Sequence, residues 1–115
     1  MKGDRAYLRH VLDAIEKIDS YASVGRDVFM SIPHWQDAIM RQLEIIGEAT
    51  KKLSKDLRSR HTEVPWRRMA GLRDVLIHDY FGVDLAAVWE ITQKDLPKLK
   101  VSIENILAET GNDES

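Results

Sequence analysis

The stretch "QDAIMRQLEIIGEATKKL", residues 36 to 53, decides the fold. Extended back to Ile32, it sets Trp35, Ile39, Gln42, Ile46, Ala49 and Leu53 along one stripe at spacings of three and four. That is the period of a helix that turns one face to a core. Just upstream, Ser31 offers an N-cap and Pro33 is tolerated in a first turn, where its missing N–H leaves no bond unmade. Gly47, inside the helix, costs about 1 kcal/mol relative to alanine. A glycine there usually lets another helix come close.

The same period continues on both sides. From about Asp4 to Ala22, Leu8, Val11, Ile15, Ile18 and Ala22 form a second amphipathic stripe. Gly25 in "SVGRDVFMSIP" breaks it, with a short turn of helix around Asp27. "SKDLRSRHTEV", residues 54 to 64, reads as a short helix and a loop. Pro65 opens a further helix buried through Met69, Leu72 and Leu76, and Gly82 is its stop signal. Asp84 can cap the last long helix, where Leu85, Val88, Leu96, Leu99, Ile103 and Ile106 face inward. Pro97 should kink or divide that helix, because it removes a donor and clashes one turn back. "ETGNDES", from residue 109, is expected to fray. No segment alternates with period two and no hairpin signal appears. The fold class is all-α: one domain over 1–115, an antiparallel four- to five-helix bundle divided near Pro97.

Composition narrows the function classes. The chain has 115 residues and no cysteine, so disulfides, thiolate ligands and a thiol nucleophile are excluded. No run approaches the roughly 18 apolar residues of a membrane span, and "MKGDRAYLRH" lacks a signal-peptide core. A soluble, cytoplasmic protein without a membrane partner is expected. Net charge is −2, but it is unevenly spread. Between 51 and 73 lie Lys51, Lys52, Lys55, Arg58, Arg60, Arg67, Arg68 and Arg73 against only Asp56 and Glu63. Such a basic region on an acidic chain fits phosphate binding, although a solvated charged face looks the same.

Two kinds of site find little support. Helical bundles hold carboxylate-bridged metals through Glu-x-x-His pairs, and there is none. His10 with Asp13 and His34 with Asp37 are isolated pairs of the kind surfaces produce by chance, so no metal and no cofactor is expected. The six glycines are scattered and form no phosphate loop. Trp35, Trp66 and Trp89 read as packing anchors.

"GLRDVLIHDYFGVD", residues 71 to 84, places Arg73, His78 and Tyr80 inside an apolar helix. Arg73 and His78 stand about 140° apart around a regular helix, whereas Asp74 and His78 share a face at i,i+4. A carboxylate there would orient the imidazole and favour its charged form. A histidine near a helix C-terminus also complements the dipole, and spacing alone leaves both readings open.

"RDVLIHDY" matches the Arg-x4-His-x-Tyr pattern of the HepT-like members of the HEPN superfamily. "QDAIMRQLEIIGEATKKL", "VPWRRMAGLRDVLIHDYFGVD" and "VWEITQKDLPKLK" resemble that group in the same order, over nearly the whole chain. The resemblance implies a homodimer whose motif helices line a shared cleft and cleave RNA without a metal. Arg73 and His78 would be catalytic, with Asp74 and Glu48 in support. Lys51, Lys52, Lys55, Arg58, Arg67 and Arg68 would guide RNA toward the cleft. It also implies a cognate nucleotidyltransferase antitoxin that transfers AMP to Tyr80. Two residues depart from the pattern. Asp74 stands where a polar residue, often Asn, is expected, and Asp79 where Gly is common. Both add negative charge where a phosphate would bind. The alternative is a non-catalytic helical module that docks a nucleotidyltransferase or a nucleotide.

Overall fold

Residues with apolar neighbours three and four positions away can bury one side of a helix. The described helices of this chain do so. The computed structural model describes residues 2–78 and 84–113, with side chains for 3–72 and 84–109. Seven α-helices are described: α1 (Lys2–Ala22), α2 (Arg26–Ser31), α3 (Pro33–Lys51), α4 (Lys55–Arg60), α5 (Trp66–His78), α6 (Leu85–Glu90) and α7 (Leu96–Asp113). Among the described residues there is no strand.

The core is an all-α bundle of α1, α3, α5 and α7. α3 packs against both α1 and α5, and α7 closes on the other side of α1. Leu8, Val11, Ile15 and Ile18 of α1 meet Ile39, Leu43 and Ile46 of α3 in a single fully buried cluster. Each such side chain contributes roughly 1.5–3 kcal/mol by leaving water. Gly47 is buried within α3, as expected of a packing glycine. The short α2 sets Phe29 into the core, where its ring lies 5.3 Å from that of Trp89. Trp66 and Trp89 are buried, and Trp35 is half-buried against Tyr21, so all three tryptophans act as anchors.

The punctuation follows local chemistry with one exception. Pro33 takes the first position of α3, and the Asp84 carboxylate caps α6 by accepting from the Ala87 N–H at 3.1 Å. Ser31, however, does not cap α3. It ends α2, its hydroxyl donates back to the Asp27 carbonyl, and Ile32 precedes α3 without a side-chain cap. The backbone of α7 is helical to Asp113.

Pro97 exerts its effect one turn early. Between α6 and α7, Ile91–Asp95 forms a π-helical turn in which the Leu96 N–H reaches the Ile91 carbonyl, five residues back. The wider turn gives the proline ring room that a regular α-turn denies it. Thr92 is buried inside this turn, its hydroxyl donating to the Trp89 carbonyl at 2.6 Å. The last helix is thus divided by a change of pitch.

Candidate functional site

α5 carries the Arg-x4-His motif. Its backbone is helical through His78, so positions 73, 74 and 78 occupy its last turns. The side chains of Arg73, Asp74, Leu76 and His78 lie outside the described residues, as do Asp79, Tyr80 and Gly82 altogether. Glu48 is exposed on α3, the helix that packs against α5.

The basic residues are partly gathered. Lys55 and Arg58 from α4 face Arg67 and Arg68 from the first turn of α5 across one open groove, floored by Val64, Pro65, Trp66 and Ala70. Among the described residues no carboxylate lines it. Lys51 and Lys52, at the end of α3, are exposed but do not line it. The four cations are not equally free. Arg68 is drawn to Asp95 at 3.2 Å and Arg58 Nε donates to the Ser54 carbonyl at 3.4 Å. Exposed Lys55 and Arg67 make no ion pair among the described residues, which leaves their charge to the solvent or a ligand. Arg60 is held by Asp56 at 3.2 Å.

Three contacts that spacing did not announce hold the groove's walls. Asp4, buried at the start of α1, receives the Ser54 N–H at 2.8 Å and the Ser54 hydroxyl at 2.7 Å. The same Ser54 oxygen accepts from the Leu57 N–H, so Asp4 fixes the residue that caps α4. The Trp66 indole N–H donates to the His61 carbonyl at 2.8 Å, tying the α4–α5 loop to α5. The His61 ring lies 3.6 Å from the carboxylates of both Glu63 and Glu109, between that loop and α7. Asp4 and Ser54, and His61 and Glu109, are distant in sequence, and no spacing along the chain pairs them.

A smaller pocket of about 190 Å³ adjoins the groove between α5 and α7. Its walls are mainly apolar, from Met69, Leu72, Ile91, Leu96 and Leu99. The isolated histidine pairs have other neighbours, since His10 meets the Tyr7 ring edge-on and His34 meets Trp35. No helix among the described residues is long and apolar enough to cross a membrane.

A family model described as "Ribonuclease HepT-like" matches residues 11–106, which include the groove and the Arg-x4-His motif. The chain belongs to the HepT-like family. A relative named "Probable ribonuclease HepT", from Thermococcus cleftensis, is 40% identical over 106 residues, covering 91% of this chain and 96% of its own. The "Putative RNase" of Caldanaerobacter subterraneus subsp. tengcongensis is 43% identical over 108 residues, covering 93% and 96%. A protein of Methanocaldococcus jannaschii named "Gamma-glutamylcyclotransferase and putative RNase" is 44% identical over 109 residues. The HepT-like chain spans 94% of itself there but about half, 49%, of that relative. No solved structure matches it.

Proposed function

We propose that this HepT-like protein is an endoribonuclease toxin that cleaves RNA without a metal, in a cleft shared by two copies of the chain. The observation that carries the reading is the family match over residues 11–106, which brings the Arg73–His78 motif with it. The unpaired cations of the α4–α5 groove supply the attraction that an RNA backbone requires.

The chemistry can be run by the chain's own residues. The RNA 2′-hydroxyl attacks its neighbouring phosphate, one group takes the hydroxyl proton, and another protonates the departing 5′-oxygen. Histidine titrates near neutral pH and serves in either direction. A single His78 cannot be base and acid at once, whereas a two-fold cleft contains it twice. Arg73 stays charged and offers a planar fork to the phosphorane oxygens. Its 140° offset from His78 is no obstacle if it serves the partner's half of the cleft. Asp74, one turn before His78, orients that ring, and Glu48 orients Arg73. A nucleotidyltransferase antitoxin silences the toxin by attaching AMP to Tyr80, placing a bulky anion at the cleft mouth. An RNA substrate locates this work in the cytoplasm.

The test is cleavage of RNA by the purified protein with chelator present. Arg73→Ala and His78→Ala should each lower the rate by about 10²-fold or more. Full cleavage by both variants would sink the assignment. A chain that binds the nucleotidyltransferase tightly yet never cuts RNA would be the binding module instead, a reading favoured by the two added carboxylates at Asp74 and Asp79.

A further inference from the structure

The groove and the motif are two ends of one helix, and positions 67, 71, 74 and 78 fall on one side of it. In a regular helix these four lie within about 60° of one another, at spacings of four, three and four. The buried Trp66 and Met69 and the half-buried Leu72 fall away from that side. Position 67 is an exposed arginine on the groove wall. Position 71 is a glycine, and a Cβ built there meets nothing within 4 Å among the described residues. A mid-helix glycine costs about 1 kcal/mol relative to alanine, and no helix among the described residues uses the space it leaves.

We infer that the RNA strand lies lengthwise along α5. Its scissile phosphate sits at the His78 end, its backbone crosses the helix at Gly71, and more distant phosphates rest between Lys55, Arg58 and Arg67. The inference rests on the ribonuclease reading for the position of the scissile bond. Eleven residues separate Arg67 from His78, about 16 Å along the axis. A stacked strand advances about 3.4 Å per nucleotide, so the groove holds phosphates about five nucleotides from the cut. The substrate is therefore single-stranded RNA that extends about that far on one side of the scissile bond. Charge favours this occupant, because among the described residues the groove is lined by four cations and no carboxylate. The exposed arginine gives an anionic strand an anchor, and at Gly71 no described residue stands within 4 Å of where a side chain would begin.

The experiment measures dissociation constants of single-stranded RNAs, lengthened from two to ten nucleotides, with the otherwise intact His78→Ala protein. Affinity should rise about tenfold as the strand becomes long enough to bridge both ends of α5. Adding Lys55→Ala and Arg67→Ala should bring the long-to-short ratio close to one. It should also flatten the salt dependence by about 0.7 for each phosphate left without its cation. Gly71→Leu, which obstructs the path without removing a charge, should weaken long RNA in the same way. Unfolding is followed in parallel, and Gly71→Leu should be no less stable than its parent. A ratio that does not change with length, or that survives these substitutions, overturns the inference. So does capture by phosphatidylserine vesicles without a length step, or a change of oligomeric state in Gly71→Leu with RNA affinity intact. The two readings fail separately: a length step without cleavage by the wild type refutes the ribonuclease, and cleavage without a length step refutes the track.

Discussion

Removing the Asp4 carboxylate should loosen the groove from a distance. Asp4 is 5% exposed and accepts two hydrogen bonds from Ser54, at 2.8 Å from its N–H and 2.7 Å from its hydroxyl. Hydrogen bonds to a charged group contribute about 1.5–3 kcal/mol each when buried. Ser54 is half-buried, so water can partly replace them. A further contribution of up to about 1 kcal/mol comes from a negative charge in the first turn of α1. Asp4→Ala should therefore cost about 3 kcal/mol, while Asp4→Asn, which keeps an acceptor for the Ser54 N–H, should cost about 1 kcal/mol. The charge–dipole part is lost in both variants, so their difference isolates the hydrogen bonds. Urea denaturation of wild type and both variants measures the losses. Amide exchange at Leu57, whose N–H donates to the Ser54 hydroxyl, reports whether α4 frays first. RNA affinity should fall in Asp4→Ala, because α4 carries Lys55 and Arg58. Equal losses for the two substitutions, or a loss below about 0.5 kcal/mol for alanine, would refute the account.

Two further outcomes test the fold. Ile46, fully buried on the helix that packs against both α1 and α5, should cost about 3 kcal/mol as Ile46→Ala. Val101→Ser, at a site 57% exposed, should stay within about 0.5 kcal/mol, and equal denaturation midpoints for the pair would contradict this core. Deleting Gln93 should turn the Ile91–Asp95 π turn into a regular α-turn and bring the Pro97 clash back, at about 3 kcal/mol. Adding Pro97→Ala to the deletion should recover most of that loss. A deletion mutant as stable as wild type would show that the π turn does not accommodate the proline.

Much of the site was legible for one reason and hidden for another. The motif was readable as a resemblance, since "RDVLIHDY" is a contiguous string flanked by further matching strings. The basic cluster was readable as composition, but its membership was not. Lys51 and Lys52 belong to the same charge run as Lys55 yet do not line the groove, because α3 ends before the chain turns into α4. Arg68 counts as basic in any window, and its charge is largely spent on Asp95, 27 positions away. Ser31 departs from expectation because it ends α2, where its hydroxyl is taken by the Asp27 carbonyl one turn back.

What this sequence determined by itself is the set of local choices. Apolar spacing made the helices, Asp84 capped one, Pro33 opened another, and Pro97 divided the last. Each depends on residues within about one turn, where backbone geometry brings neighbours together whatever the rest of the chain does. The tertiary structure alone decided which cations share a groove and that Asp4 holds Ser54 fifty positions away. Those facts depend on how helices pack across the core, and no periodicity along the chain encodes them.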